Sequence, residues 1–319
     1  MFWRGLTFIS LAATSAAGEF SLAFPLDCTS DDTCFIQQFV DNDPTSGISD
    51  FTCGNLTYDG HKGTDIAIPS LTDQAAGVDV LAAADGTILG TRDDMADILQ
   101  IGPDAPDITD RECGNGVVIR HEDGFETQYC HMARGSITVE AGQSVSAGTP
   151  LGQVGLSGQT QFPHLHLSVR KDGKTIDPFN ADGQAACPDP TAPSLWAMPI
   201  ATPAGGIVNI GLADAVPEFD DIKAGTANTG TTTNGPAMVA WVHLFGPRVG
   251  DTLRMTMTGP NGVTFENTQT LSRDQARAFR AFGRRTPTEG WVKGSYVLNV
   301  IHTRGDAVLD TAVQTFTVD

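Results

Sequence analysis

The sequence has few positively charged residues. Lysine and arginine total 19 against 38 aspartates and glutamates, which gives a formal net charge of −19 over 319 residues. A protein that binds DNA or RNA needs basic side chains to neutralise phosphates, and attraction to an anionic membrane makes the same demand. The composition therefore disfavours nucleic acid and anionic membrane surfaces as partners.

Long hydrophobic runs are also scarce. The clearest apolar stretch extends from Leu6 to Ala17, after a single positive charge at Arg4, and it is shorter than the ~20 apolar residues that span a bilayer. A charge, a short apolar run and small residues in that order are typical of a secretory signal. We therefore expect a signal peptide over residues 1–23, cleaved after Ala17 or Ala23, and a periplasmic or secreted mature chain without stable membrane insertion.

Aromatic residues make up only 7% of the chain, whereas glycine (35) and proline (18) are plentiful. Glycine and proline punctuate turns and interrupt long helices. Hydrophobic residues, at 40%, still supply enough apolar material for a sizeable core. Together these values predict a mainly β protein.

Cysteine is absent after residue 187, and this absence divides the chain. We predict a first domain over residues 24–187, which carries all six cysteines and most histidines. A proline-containing linker follows over 188–199. Recurring strand patterns over 200–319 predict a β-sandwich of immunoglobulin-like size.

One helix is expected within this second domain. Ser272 is a suitable N-cap, Gln275 completes a capping box and Gly283 provides a C-terminal stop.

Six cysteines in an exported chain indicate disulfide bonds. Cys113 and Cys130 flank a hairpin pattern with its turn at residues 122–124, which makes them the best candidate pair. The chain has no Cys-x-x-Cys sequence, so a cysteine-ligated metal is the weaker interpretation. The sequence leaves the partners of Cys28, Cys34, Cys53 and Cys187 open.

Three segments of the first domain carry polar side chains at spacings that suit a metal site: His61-Lys-Gly-Thr-Asp65, Tyr129-Cys-His131, and His164-Leu-His166. Side chains two residues apart on a strand share a face. Each pair can therefore converge on one point if its segment is extended. The same alternation predicts that Tyr129 and His131 share a face while Cys130 points away.

Two imidazoles and one carboxylate are a known catalytic zinc set that leaves the fourth position for water. The same set also holds non-haem iron, but an oxidising compartment favours a redox-inert ion. A glutamate-base zinc peptidase is excluded, because His121-Glu122 is followed by Phe125 where the second histidine of His-Glu-x-x-His would stand. His121 itself is interpreted as structural.

At these motifs the chain resembles the zinc metallopeptidases of the lysostaphin and LytM type, peptidase family M23. The family's His-x-x-x-Asp, Tyr-x-His-Leu-like and His-Leu-His elements correspond to the three segments above, in the same order. The resemblance covers about residues 55–180 and does not reach the second domain. Two residues depart from the family pattern, with Cys130 in place of a small residue and Met132 in place of leucine.

The resemblance implies a LytM-like antiparallel β-sheet domain with one Zn²⁺ per chain. It makes His61, Asp65 and His166 the zinc ligands and leaves His131 and His164 as the catalytic pair. It also implies a metalloendopeptidase that hydrolyses the peptide cross-links of bacterial peptidoglycan. The alternatives are a non-catalytic cell-wall-binding regulator of other hydrolases and a zinc peptidase that acts on secreted proteins.

Overall fold

The computed structural model describes residues 19–30, 32–183 and 193–319. The signal peptide predicted over 1–23 therefore lies largely outside the described residues. Within the described ranges, no helix has the length and apolar character that a bilayer crossing requires.

The described chain is built mainly from strands joined by turns. The strands are β1 (Phe35–Gln38), β2 (Thr64–Ala67), β3 (Asp79–Leu81), β4 (Gly86–Arg92), β5 (Asn115–Arg120), β6 (Phe125–Met132), β7 (Ser144–Val145), β8 (Pro150–Gln153), β9 (His164–Lys171), β10 (Lys174–Ile176), β11 (Gly206–Ala213), β12 (Ala237–Phe245), β13 (Thr252–Gly259), β14 (Gly262–Thr270), β15 (Arg277–Arg285), β16 (Gly294–Arg304) and β17 (Ala307–Val318). The two α-helices are α1 (Leu71–Ala75) and α2 (Phe219–Ala224), and a 3-10 turn spans Glu122–Gly124. The prediction of a mainly β fold is confirmed.

An eight-stranded antiparallel sheet organises the first part of the chain. Its order is β1-β2-β9-β6-β5-β4-β7, with β10 paired to β9. Ile66, Leu165 and Leu167 are fully buried on one face of this sheet. Since side chains alternate along each strand, their neighbours on β2 and β9 occupy the opposite face.

The second part contains two sheets, β11-β12-β15 and β14-β13-β16-β17. One apolar cluster joins them, with Leu212 and Val242 from the first sheet packed together with Met255 and Leu298 from the second. Two sheets that share a core form a β-sandwich. The immunoglobulin-like character of this part remains a prediction.

The helix predicted after Ser272 is wrong, because this region contains strand β15. All nine residues of β15 pair in register with β12, from Phe245 opposite Arg277 to Ala237 opposite Arg285. The capping residues were suitable for a helix, but pairing along the whole edge of β12 outweighs a local propensity of this size.

The predicted linker over 188–199 includes residues that pack on the first domain. Leu195 and Trp196 are buried in the core beneath the large sheet, and Leu22 pairs with Trp196 in an isolated bridge. Residues 184–192 lie outside the described ranges.

Candidate functional site

Strands β2 and β9 place the candidate metal ligands on one face of the large sheet. Asp65 lies directly opposite His166, and Ala67 lies opposite His164. Residues opposite each other in an antiparallel pair share a face. The alternation expected from the sequence therefore brings Asp65, His164 and His166 together, away from the apolar core.

Three side-chain atoms converge at this position. His166 Nδ1 is 2.8 Å from Asp65 Oδ1, and His61 Nε2 is 3.2 Å from both of those atoms. Four-coordinate zinc with bonds of about 2.0–2.2 Å separates its ligand atoms by about 3.3 Å. Among the described residues, His61, Asp65 and His166 form a group whose ligand atoms are close enough together to hold a metal ion.

Hydrogen bonds on the far side of each imidazole test whether a cation fits. His61 Nδ1 donates to the Phe39 carbonyl oxygen at 2.6 Å, and His166 Nε2 lies 3.1 Å from Ser168 Oγ. A carbonyl oxygen only accepts, so the neutral His61 ring turns the lone pair of Nε2 toward Asp65, whereas the Ser168 hydroxyl can accept from His166 Nε2 or donate to it. When His166 Nε2 donates, two lone pairs and a buried carboxylate meet without a proton between them, which is the donor arrangement of a metal site.

The carboxylate of Asp65 stays ionised in this setting. Burial alone would raise its pKa, but His164 and His61 are close enough to hold the pKa well below the usual value. Burial also opposes charging of His61, but Asp65, the Phe39 carbonyl oxygen and Asp41 together outweigh it and raise the pKa of that imidazole.

Gly63 permits the approach of β9 to the segment that carries His61. A Cβ atom at this position would lie 2.5 Å from His166 Nε2 and 2.8 Å from the Leu167 carbonyl oxygen. A side chain would therefore displace the ring of a candidate ligand. No motif in the sequence indicates this packing role of Gly63.

His131 reaches the same site by a different route from the predicted one. Tyr129 is fully buried in the apolar core, whereas Cys130 lies opposite His166, so the predicted faces of these two residues are reversed. Between β5 and β6 the register shifts, and His131 has a left-handed backbone with φ of 64°. This bulge turns the His131 ring toward the metal-binding face instead of the core.

The rings of His131 and His164 lie side by side, with their centroids 4.7 Å apart. His131 Nδ1 donates to the Ser157 carbonyl oxygen at 2.8 Å, and His164 Nδ1 donates to the Phe162 carbonyl oxygen at 2.9 Å. Each ring therefore presents Nε2 on the opposite side, and His164 Nε2 lies 3.5 Å from Asp65 Oδ1. Burial is the largest effect on both rings and lowers the pKa of each, well below the usual value for His131.

A disulfide joins Cys113 to Cys130, directly before His131. The Cys113 carbonyl oxygen also accepts a hydrogen bond from the His131 backbone N–H at 2.8 Å. A second disulfide joins Cys28 and Cys34. The disulfide between Cys113 and Cys130 ties β6 to the segment before β5, next to the bulge that contains His131.

His121 takes no part in the site. Its Nδ1 donates to the Asp85 carbonyl oxygen at 2.7 Å, and its Nε2 lies 2.7 Å from Thr127 Oγ1. Both ring nitrogens have partners in the core, as expected for a structural histidine.

The comparison with protein families agrees with this geometry. Residues 59–178 match the model described as Peptidase family M23, and this segment holds the candidate ligands and both further histidines. We call residues 59–178 the M23 domain after this match. The match covers the part of the chain in which the LytM-like resemblance was recognised.

The M23 domain is similar to curated proteins from several bacteria. "Peptidoglycan DD-endopeptidase ShyA" of Vibrio cholerae is 32% identical over 122 residues, which are 38% of this chain and 23% of that protein. "DD-carboxypeptidase/endopeptidase Mpg" of Neisseria meningitidis is 39% identical over 67 residues, 21% of this chain and 15% of that protein. The chain thus spans less than a quarter of the length of these curated relatives.

Solved structures also resemble this chain. The "zinc containing peptidase from vibrio cholerae" has a TM-score of 0.29 and 26% identity, and the match covers 48% of this chain and 40% of that one.

Proposed function

We propose that this chain is a zinc-dependent endopeptidase that hydrolyses the peptide cross-links of bacterial peptidoglycan. The observation that carries the proposal is the convergence of His61 Nε2, Asp65 Oδ1 and His166 Nδ1 within 3.2 Å of one another, with two further imidazoles beside them. The match of residues 59–178 to family M23 and the printed names of the curated relatives support the substrate class.

His61, Asp65 and His166 would hold the zinc ion. When bound, zinc lowers the pKa of a coordinated water toward about 7 and polarises a carbonyl oxygen. Two neutral imidazoles and one carboxylate leave a net positive charge on such a centre, which preserves its Lewis acidity. The side chain of His166 is 17% exposed, so the group is open to solvent and substrate on that side.

His131 and His164 supply the acid–base groups. Each ring is fixed by a hydrogen bond from Nδ1 to a backbone carbonyl, and each directs Nε2 to the metal-binding face. A neutral imidazole with a free Nε2 lone pair can accept a proton from the attacking water and return it to the leaving amine. The same Nε2–H, once protonated, can donate to the oxygen on which charge develops.

Export fits the fold as well. A disulfide-bonded domain belongs in an oxidising compartment, and we propose a periplasmic or secreted location. Of the two cleavage positions, Ala17 suits the structure better, because Phe20 stacks on Phe125 and Leu22 is buried in the first domain. We propose a β-sandwich accessory domain after Trp196.

The test is digestion of purified cross-linked muropeptides by the full chain, followed by mass spectrometry. Cleavage is expected with zinc, is expected to stop with a chelator and to return when zinc is added back. Cleavage that survives the chelator would contradict the metal mechanism. Bound zinc without any cleavage would favour a non-catalytic cell-wall-binding regulator of other hydrolases. Cleavage of secreted proteins alone would favour a zinc peptidase that acts on secreted proteins.

A further inference from the structure

The β-sandwich packs against the same sheet face that carries the candidate site. Phe245 of β12 contacts Phe35 of β1 with ring centroids 4.5 Å apart, and both belong to one apolar cluster with Ala67. Ala67 lies two residues after Asp65 on β2, on the metal-binding face. The sandwich therefore borders the site instead of lying at a distance from it.

Arg277 extends from this border toward the site. It starts β15 opposite Phe245, and its guanidinium carbon lies 4.4 Å from the centre of the Phe162 ring and 5.7 Å from that of Phe35. Its Nε donates to Gln37 Oε1 at 2.6 Å, while its Nη2 is buried and has no hydrogen-bond partner among the residues that the structure describes. The guanidinium is thus held mainly by aromatic faces.

Phe162 connects Arg277 to His164. Its ring stacks on the His164 imidazole with centroids 4.4 Å apart and planes 27° apart. Its carbonyl oxygen accepts the hydrogen bond from His164 Nδ1 and another from the Thr160 hydroxyl at 2.6 Å. The Phe162 ring therefore contacts both the Arg277 guanidinium and the His164 imidazole, which is a group in the site.

Packing alone does not account for an arginine at this place. Arg277 is half-buried, and its buried Nη2, which has no hydrogen-bond partner among the described residues, costs free energy that an apolar side chain of similar size would avoid. A guanidinium over a phenyl ring is attracted by the ring's negative face, and this attraction favours one position of the ring. The arrangement therefore serves to orient Phe162.

We propose that Arg277 is a positioning residue for the reaction: it holds Phe162 against His164, so the β-sandwich completes the active site of the M23 domain. This inference rests on the proposed peptidase function. Arg277 touches neither the candidate metal ligands nor the substrate in this scheme. Its effect is to keep the His164 ring in the orientation that directs Nε2 at the site.

The test compares Arg277→Gln, Arg277→Lys and a control, Arg284→Gln, which changes an exposed arginine on the same strand. Each full-length variant is assayed for kcat and KM on a cross-linked muropeptide, for zinc content and for thermal stability. A displaced catalytic group costs up to about 100-fold in rate, so we expect Arg277→Gln to lower kcat about 10- to 100-fold with KM and zinc content unchanged. Arg277→Lys keeps a cation over the ring and should recover part of kcat, while Arg284→Gln should match the parent chain.

A second readout does not depend on activity. In NMR spectra of metal-free protein with labelled histidine, stacking on Phe162 shifts the His164 ring signals, and Arg277→Gln should move them while Arg284→Gln does not. Unchanged His164 signals in Arg277→Gln would overturn the proposal, even with a lower kcat, because Arg277 would then act on substrate. If Arg277→Gln does not fold, Phe162→Leu replaces it and should itself lower kcat about 10- to 100-fold and shift the His164 signals, and parental values there would overturn the proposal.

The two proposals can fail separately. If the parent chain does not cleave muropeptides, the peptidase function fails, while the His164 signals still decide whether Arg277 positions that ring.

Discussion

His131 has a backbone conformation that costs most residues free energy. Its φ is 64°, in the left-handed region that glycine enters freely and other L-residues enter at a cost of about 1–2 kcal/mol. We therefore expect His131→Gly to be more stable than His131→Ala by about 1 kcal/mol in urea denaturation, although both lose the ring. Equal stabilities would show that the bulge relaxes when the imidazole is removed.

Loss of metal and loss of activity should separate at the level of single residues. His166→Ala removes one of three converging ligand atoms, so we expect it to lose both zinc and peptidase activity. His131→Ala removes a group whose Nδ1 donates to the Ser157 carbonyl oxygen and which is not a proposed ligand. It should keep one zinc per chain, measured by atomic emission, and lose activity. A zinc-free His131→Ala would contradict the ligand assignment.

Strand periodicity predicted correctly which side chains of β9 share a face of the sheet. His164 and His166 share a face because β9 is regular, and Asp65 joins them because β2 pairs with β9 in register. The same rule failed at Tyr129 and Cys130, because a register shift and a left-handed residue interrupt β6. A bulge of this kind has no reliable local sequence signal, although the bridging Cys113 and Cys130 flank the place where it occurs.

At the scale of elements, the disulfide between Cys113 and Cys130 supports the end of β6. It ties this strand to the segment whose carbonyl oxygen binds the His131 N–H. We expect the double variant Cys113→Ser, Cys130→Ser to lower kcat about 10-fold or more, because a group held less rigidly reacts more slowly. Zinc content should not change, since the proposed ligands lie on β2, on β9 and in the loop before β2. The matched control is Cys28→Ser, Cys34→Ser, which removes the Cys28–Cys34 disulfide; equal losses in both variants would indicate a general effect on stability.

The turn after β10 contains a buried acid with a consequence for pH. Asp177 is 5% exposed, and burial raises its pKa to about 6 despite hydrogen bonds from Asn42 and the Phe179 N–H. Because the folded pKa lies above the unfolded value, the folded state binds the proton more tightly, and stability falls as pH rises from about 4 through about 6.

Asp177→Asn removes this titration. Relative to the parent chain, the variant should gain about 2–3 kcal/mol of unfolding free energy between pH 4 and pH 7. Urea denaturation at both pH values measures the difference, and Asp104→Asn, at an exposed position, corrects for the change in net charge. A difference that does not vary with pH would mean that Asp177 ionises normally.

The success of each secondary-structure prediction depended on whether its sequence pattern extended over the whole element or over only a few residues. The alternating pattern of β13 agrees with the structure because its apolar positions face the sandwich core. The capping residues Ser272 and Gln275 were misleading because they describe only a local preference, whereas all nine residues of β15 pair with β12. Pairing partners distant in sequence were not available to a local argument.

At the scale of the whole molecule, the second part of the chain contacts the first beside the candidate site. All candidate catalytic and metal-binding residues that the sequence indicates lie before residue 188, and no catalytic role was predicted for residues 200–319. The contacts of Arg277 and Phe245 with the first domain depend on how two independently patterned cores pack together. No periodicity within either part encodes that contact, so it became visible only in three dimensions.

The net charge of −19 makes a prediction for the whole molecule. Peptidoglycan peptides carry carboxylates, so the long-range field of this chain opposes their approach, and binding depends on short-range contacts at the site. Raising NaCl from about 10 mM to about 100 mM shortens the Debye length from about 30 Å to about 10 Å and screens this repulsion. We therefore expect kcat/KM for an acidic muropeptide to rise with salt over this range, through a lower KM. An otherwise identical muropeptide with amidated carboxylates is the control and should respond much less. A kcat/KM that falls as salt is added would show that a local positive potential attracts the substrate, against the sign of the whole chain.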